Sequence, residues 1–125
     1  MVFQPFGAGV LAKVADTGIN GFALVNGTPT IISWTAPNDG NLHPFVITGG
    51  THVTVAETGG AVHGAWTLPD STNASAGTDS GGRAPGGFGW TSQSGVIGPG
   101  QTVIVSQSSA LTAGAATVWA QIYGA

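Results

Sequence analysis

Apolar and polar residues alternate in short runs along most of this chain, and glycine or proline bounds nearly every run. The last run, TVWAQIY, carries Val118, Ala120 and Ile122 on one face and two aromatic residues on the other. A period of two is typical of a β-strand, because successive side chains point to opposite faces of the sheet. The two aromatic residues, Trp119 and Tyr123, either cap the core from a sheet edge or lie in a subunit contact.

The same alternation predicts strands along the whole chain and no helix, because no stretch sustains an apolar period of 3.6 residues. Segments such as NGTP and PNDGN supply glycine or proline where the chain must reverse. The stretch 110–116, ALTAGAA, is predicted to be a loop because it is short and contains Gly114. The predicted strands lie near 8–15, 20–25, 30–36, 42–48, 51–57, 61–68, 88–96, 101–107 and 117–123.

These strands predict an all-β fold, an antiparallel β-sandwich. We favour the jelly-roll architecture, in which strands of two packed sheets form two Greek keys. An immunoglobulin sandwich fits less well, because the chain has no cysteine and no tyrosine placed as a corner. With 125 residues the chain has the length of one domain, which we place over 9–125.

The stretch THVTVAETGGAVHGAW is typical of a β-hairpin. A two-residue turn within its TGG segment would place Val55 opposite Val62. His52 and His63 would then share the other face, as a plain outer sheet surface, a subunit contact, a pH-sensitive contact or a metal site. A zinc site needs three or four ligands, and Glu57 is the one nearby carboxylate, so an outer surface or a contact is favoured.

A long Gly/Pro-rich loop is predicted over 69–100. A loop of this length in a small domain is usually functional or disordered. Phe88 and Trp90 in the GGFGW segment favour an ordered, contact-forming second half, because aromatic side chains bury large areas. The first half, 70–87, which contains Arg83, is expected to reach outward as a flexible arm.

Residues 1–8 are predicted to form an N-terminal arm. Phe3 and Phe6 lie there on a segment that also contains proline and glycine. This arm would either lie across a neighbouring subunit or pack onto the open end of its own domain. The same two alternatives hold for the loop over 69–100.

Charge is scarce in this chain. Two basic and five acidic residues make up 6 % of it and give a net charge of −3, whereas a soluble domain typically carries about 25 % charged residues. Binding of nucleic acid or of anionic lipid requires several Lys or Arg side chains, so neither partner is expected. A surface with so few charges keeps molecules apart poorly, and we expect other subunits to cover much of it. We also expect a soluble chain without an export signal, because no apolar run follows a charged leader.

No group of residues matches a catalytic pattern. The chain has no Gly-x-Ser-x-Gly elbow, no phosphate-binding loop and no calcium-loop spacing. Most of the acidic residues lie in predicted turns, where aspartate commonly accepts hydrogen bonds from its own backbone. We therefore expect neither an enzyme nor a cofactor.

Three segments carry a resemblance to a known family. TPTIISWTAPNDGNLHPFVITGG, HVTVAETGGAVHGAWTLPD and PGQTVIVSQSSALTAGAATVWAQIYGA resemble the small jelly-roll virion proteins of tailed bacteriophages, especially those that infect actinobacteria. The resemblance covers roughly residues 28–125 and consists of structural motifs, so it transfers no catalytic residue. It implies a capsid decoration or cement protein of tumour-necrosis-factor-like shape, often a trimer, that contacts the major capsid protein on the outer surface of the virion.

The sequence therefore predicts a structural virion protein, an external decoration subunit that stabilises a bacteriophage head through protein–protein contacts. The alternatives are a tail or fibre component and a glycan-binding jelly-roll module that uses Trp90 and Phe88 as stacking platforms. A hydrolase would require a histidine-dependent activity. The interface candidates are Phe3, Phe6, His52, His63, Arg83, Phe88, Trp90, Trp119 and Tyr123.

Overall fold

Ten β-strands and no helix make up the part of the chain that the computed structural model describes, residues 11–19 and 21–125. No helix in that part is long and apolar enough to cross a membrane. The strands are β1 Ala12–Asp16, β2 Phe22–Ala23, β3 Thr30–Thr35, β4 His43–Gly59, β5 Val62–Thr67, β6 Asn73–Asp79, β7 Gly86–Gly89, β8 Gln93–Ile97, β9 Thr102–Gln107 and β10 Leu111–Gly124.

These strands form two packed antiparallel sheets. Sheet A has six strands in the order β1-β10-β4-β7, with β2 also paired to β10 and β8 to β4. Sheet B has four strands in the order β3-β9-β5-β6. The prediction of an all-β antiparallel sandwich is therefore confirmed, while the jelly-roll form stays a prediction.

The core lies between the sheets and follows the alternation of the sequence. Val118, Ala120 and Ile122 of β10 are fully buried, as the period of two predicts. Val103 and Val105 of β9 face them from sheet B and are equally buried. One face of each of these strands therefore supplies the apolar layer that holds the sandwich together.

The predicted strands 42–48 and 51–57 are one continuous strand, β4, because the glycine pair between them pairs with neighbours instead of turning. Gly50 pairs with Trp119 on one side and with Gly89 on the other. A β-carbon at Gly49 would lie 2.4 Å from the indole of Trp90, and one at Gly50 would lie 2.7 Å from Nε1 of Trp119. The two glycines thus make room for two indoles, one on each face of the strand.

The predicted hairpin over 51–66 is wrong. β4 belongs to sheet A and β5 to sheet B, so Val62 pairs with Asp79 and Gln107 rather than with Val55. Gly59 and Gly60 adopt positive φ angles of 75° and 78° between the two strands. Glycine supplies such angles for a crossing between sheets as readily as for a hairpin turn, so the turn residues alone did not distinguish the two.

The loop predicted over 69–100 contains β6, β7 and β8. The strand predicted near 88–96 overlaps β7 and β8, whereas the flexible arm expected over 70–87 is wrong, because β6 lies in it. β6 pairs with β5, whereas β7 and β8 both pair with β4. Backbone groups make these pairs, and small residues such as those of NASAGTD and GGFG show no apolar alternation by which a strand could be recognised.

The predicted loop over 110–116 is part of β10, which begins at Leu111. Its pairing with β4 is irregular there, with register shifts between Leu111 and Ala116. Gly114 has a φ of 89°, and a β-carbon on it would lie 2.2 Å from the carbonyl oxygen of Ala56. A glycine at a β-bulge, rather than at a loop, explains this position.

Candidate functional site

Three of the seven charged side chains meet on the inner side of sheet A, next to the core. Glu57 extends from β4, Asp79 ends β6, and Arg83 follows in the connection to β7. The side chains of both acids are completely buried, and that of Arg83 is 21 % exposed. We call these three residues the buried charge cluster.

Asp79 is the best satisfied member of the buried charge cluster. Thr51 donates a hydrogen bond of 2.6 Å to its Oδ2, and the Gly81 N–H donates one of 3.0 Å to its Oδ1. The guanidinium of Arg83 also donates to Oδ1. Both oxygens are thus occupied as acceptors, and Asp79 holds the beginning of the β6–β7 connection against β4.

Arg83 joins the cluster to an aromatic ring. Its guanidinium carbon lies 4.0 Å from the centroid of the Phe88 ring, within the range of a cation–π contact. Its carbonyl oxygen accepts a 2.8 Å hydrogen bond from the N–H of Glu57. Arg83 and Phe88, both predicted as interface candidates, therefore contact each other.

Glu57 is the least satisfied member of the cluster, and Nε of Arg83 also lacks a hydrogen-bond partner. Its carboxylate oxygens have no hydrogen-bond partner, and Oε1 lies 3.7 Å from Nε of Arg83. Burial raises the pKa of Glu57 above its usual value, the negative charge of Asp79 raises the pKa further, and the charge of Arg83 opposes both. One guanidinium between two buried carboxylates leaves an excess negative charge, so the site favours a proton on Glu57.

Trp90 extends this network into the core. It is 8 % exposed, and its Nε1–H donates a 3.2 Å hydrogen bond to Oγ1 of Thr51, which in turn donates to Asp79. A buried indole with its one donor occupied cannot stack on an external ligand. The stacking role predicted for Trp90 therefore does not fit its position, and Phe88 beside it is only partly exposed.

The two histidines predicted to share a face lie on different sheets. His52 is exposed on β4, where it pairs with Thr117 and Gly87. His63 is partly buried on β5 in sheet B, opposite Ser106. The prediction that His52 and His63 share a face is wrong, because it depended on the predicted hairpin over 51–66.

Among residues 11–19 and 21–125, no three His, Asp or Glu side chains come together in a group that could hold a metal ion.

His43 is the histidine that the sequence did not single out as a site. It is buried, and its two ring nitrogens contact the carbonyl oxygen of Ala125 and, at 2.8 Å, Oδ1 of Asp39. The Ala125 carbonyl raises the pKa of His43, burial lowers it, and Asp39 raises it, with a net upward shift. His43 thus ties the loop before β4 to the end of β10.

The aspartates of the turns act as the sequence predicts. Each accepts a hydrogen bond from the backbone N–H two residues later, at distances of 2.9–3.0 Å. This Asx-turn geometry is the local role expected of aspartate. The four residues are Asp16, Asp39, Asp70 and Asp79.

Trp119 and Tyr123 lie on the outer face of sheet A and do not cap the core. Trp119 is 39 % exposed and covers the backbone of Gly50. The hydroxyl of Tyr123 donates a 3.0 Å hydrogen bond to Oε1 of Gln121 on the same strand. The predicted Phe3 and Phe6 lie outside the described residues, as does the whole proposed arm over 1–8.

No family model, curated protein or solved structure matches this chain. The features that bear on function are therefore the two sides of sheet A, the outer face of sheet B and the distribution of charge.

Proposed function

We propose that this chain is a structural subunit of a bacteriophage particle, a decoration subunit on the outside of the head that acts through protein–protein contacts. One observation carries the proposal: of the chain's seven charged side chains, the buried charge cluster withdraws Glu57 and Asp79 completely from the surface and leaves Arg83 only 21 % exposed. The remaining four are Lys13, Asp16, Asp39 and Asp70.

Those four charges are themselves engaged. Lys13 and Asp16 form an ion pair of 2.8 Å, and Asp39 bonds His43 at the same distance. Asp70 accepts from both the N–H and the hydroxyl of a single residue, Thr72. Lys13 and Asp16 cancel each other, so Asp39 and Asp70 are the side chains that leave negative charge on the exterior. So few charges do little to keep copies of the chain apart, which suits a subunit in contact with other protein.

The outer face of sheet B is the contact surface that we propose. One row across its four strands consists of Ser33, Ile104, Ala65 and Ser75. The next row contains the paired residues Thr35 and Thr102 and the paired residues Thr67 and Asn73. No charged residue stands in either row. A face without charged residues resembles the core of a protein interface, where charged residues are depleted.

The strand order supports the jelly-roll form that the sequence predicts. β1 and β10, far apart in sequence, are neighbours in sheet A, and β3 and β9 are neighbours in sheet B. The chain crosses between the sheets six times, from β2 to β3, from β3 to β4, from β4 to β5, from β6 to β7, from β8 to β9 and from β9 to β10. Such long returns that bring early and late strands together are typical of Greek keys.

A position outside the shell fits the net charge of −3, because contact with packaged nucleic acid requires a basic surface. The resemblance noted in the sequence favours a trimer that docks on the major capsid protein. A tail or fibre position would use the same surfaces.

The test measures assembly directly. Light scattering over a range of concentrations gives the oligomeric state, and mass spectrometry of purified phage particles from the source of the chain detects the bound subunit. Ser33→Arg and Ser75→Arg place a large cation on the outer face of sheet B and should weaken self-association or shell binding at least tenfold.

Ser92→Arg is the matched control, because Ser92 is exposed in the connection between β7 and β8, outside either sheet. It should leave assembly unchanged. A chain that stays monomeric at high concentration and is missing from the particles would overturn the proposal. If all three arginine variants assemble equally well, the outer face of sheet B is not the contact surface.

A further inference from the structure

A cavity of about 320 Å³ opens on the outer face of sheet A, between the end of β1 and β10. Its volume is at the lower end of the range for small-molecule sites, about 300–1,000 Å³. Its walls combine an aromatic ring, an exposed aliphatic side chain and two polar side chains. The lining residues are Asp16, Gly18, Ile19, Trp119 and Gln121.

Trp119 supplies the apolar wall. Its side of β10 faces outward, and the ring is supported from below, since Nε1 and Cε2 occupy the space that a β-carbon of Gly50 would need. The ring is nevertheless 39 % exposed. Ile19, 92 % exposed, lines the same cavity. A supported indole with a free surface is a rigid platform for a ligand with an apolar face.

The polar wall is oriented before any ligand arrives. Asp16 accepts a 2.9 Å hydrogen bond from the Gly18 N–H and forms a 2.8 Å ion pair with Lys13. The Lys13 and Gly18 hydrogen bonds hold the pKa of Asp16 below its usual value, so its carboxylate is an ionised acceptor at neutral pH. The hydroxyl of Tyr123 fixes Oε1 of Gln121 as an acceptor, which leaves the amide NH₂ of Gln121 to donate.

We propose that this cavity binds an uncharged saccharide, with one face of a pyranose ring stacked on Trp119 and its hydroxyl groups bonded to Asp16 and Gln121. A sugar ring has an apolar C–H face and a rim of hydroxyls, each of which both donates and accepts. A carboxylate beside an amide donor matches that rim, and a single supported indole matches the face.

Other ligand classes fit this chemistry less well. A quaternary ammonium group calls for several aromatic walls, whereas Trp119 is the one aromatic residue among the lining residues. A nucleotide carries phosphate, and Lys13, the nearby cation, is already paired with Asp16. A purely apolar side chain would cover the Gln121 amide NH₂ and the remaining acceptor positions of the Asp16 carboxylate without bonding them, which costs affinity.

The inference does not depend on the proposed function, because the cavity lies on sheet A and the proposed assembly face on sheet B. A failure of either test leaves the other untouched.

The experiment uses the complete chain and two sets of saccharides. An array of neutral hexose and N-acetylhexosamine oligosaccharides identifies a binder, and the same array includes sialylated and sulfated members. Titration with the free methyl glycoside of the best binder then follows the indole N–H resonance of Trp119 by NMR. We expect a neutral saccharide to bind and to shift that resonance.

Trp119→Ala should reduce the affinity at least tenfold, and Gln121→Ala severalfold, with unchanged circular dichroism. Trp119→Tyr keeps a smaller ring and should retain part of the binding. Thr117→Ala is the matched control, since Thr117 lies on the same strand outside the cavity, and should bind as the unmodified chain does.

Three results would overturn the proposal: no array member binds, Trp119→Ala binds as well as the original chain, or only acidic saccharides bind and Lys13→Ala abolishes that binding. Light scattering of the Trp119→Ala chain separates the saccharide site from assembly. Loss of the oligomer in that variant, without any saccharide bound to the original chain, assigns Trp119 to a subunit contact instead.

Discussion

Trp90 and Trp119 lie on opposite sides of the same two glycines, yet their surroundings have nothing in common. Trp90 occupies the inner side of sheet A at Gly49, is 8 % exposed, and donates to Thr51. Trp119 occupies the outer side at Gly50, is 39 % exposed, and lines a cavity. One step along β4 separates a core residue from a residue that a ligand can reach.

Whether an aromatic residue occupies an inward or an outward position of the strand therefore decides what it can do. Trp90 stands in the glycine-rich segment GGFGW, and Trp119 stands in TVWAQIY. In the second segment Val118 and Ile122 show which face is apolar, so the sequence places Trp119 on the opposite face, and the structure shows that this face is the outer one. The glycines around Trp90 show no such face, and its inward direction became evident only from the structure.

The largest effect is expected from Trp90→Ala, which should lower the free energy of unfolding by about 3–5 kcal/mol because it leaves a cavity beside the core. Trp119→Ala should lower it by about 1 kcal/mol or less, as for a surface position. Urea denaturation followed by circular dichroism measures both. Equal losses for the two variants would contradict the contrast between the inner and outer sides.

The glycine pair provides the next test. Gly49→Ala should cost about 1–3 kcal/mol, since its β-carbon would lie 2.4 Å from both the Trp90 ring and the carbonyl oxygen of Trp119. Gly50→Ala should cost less, because its shortest backbone contact would be 3.0 Å, to the carbonyl oxygen of Phe88, and its other close contacts are with the outward-facing indole of Trp119. It should, however, change the fluorescence of that indole. A larger stability loss for Gly50→Ala than for Gly49→Ala would show that the outer indole is the more tightly held.

The inner side should also carry a pH dependence that the outer side lacks. The pKa of Glu57 is raised in the folded protein, so its stabilising contribution is complete below the unfolded pKa and is lost as pH rises through the folded pKa. The difference in stability between the original chain and Glu57→Gln should therefore shift in favour of Gln with rising pH. Its slope is limited to about 1.4 kcal/mol per pH unit for one proton.

Denaturant titrations at closely spaced pH values from the acidic range to neutrality measure that difference. Subtracting the Glu57→Gln curve removes the contributions of Asp16, Asp39 and Asp70, whose lowered pKa values make them lose stabilisation as pH falls. A difference that stays flat with pH would mean that Arg83 fully compensates the charge of Glu57.

The smallest effect is expected far from both tryptophans, at His43. Its pKa is raised, so its contribution is present below the usual histidine pKa and lost as pH rises through the folded pKa. Asp39→Asn should lower the pKa of His43 and weaken this step without abolishing it, because the Ala125 carbonyl remains. NMR titration of the ring protons measures the shift, and an unchanged pKa would assign the whole effect to that carbonyl.

The sequence predicted the parts of the fold in which large apolar residues alternate. The buried residues of β9 and β10 follow that alternation, and the sandwich follows from them. The strand over 73–79 was missed, and β7 and β8 were predicted as a single strand near 88–96, because pairing through backbone hydrogen bonds leaves no trace in small side chains. The crossing at Gly59 and Gly60 was mistaken for a hairpin because sheet membership depends on distant partners.

The site was predictable only in part. Alternation placed Trp119 and Tyr123 opposite the core residues of β10, but it left open whether they cap the core from a sheet edge or lie in a subunit contact. Asp16 was interpreted as a turn residue, which it is, and nothing local indicated that β1 would place it opposite Gln121. The buried charge cluster joins residues of β4, of the end of β6 and of the β6–β7 connection. That these residues contact one another cannot be deduced without the strand order.

β4 and β10 also determine how the chain must fold. β10 pairs with β4 along nearly its whole length and with β1 at its far edge, so sheet A cannot close until residues 111–124 have left the ribosome. Nearly all contacts of the central sheet thus join distant parts of the sequence, a topology associated with folding times of about milliseconds to seconds. Until that closure, the partly made sheet exposes the edge of β4 along all 17 residues, which leaves the nascent chain vulnerable to aggregation until residues 111–124 pair with β4.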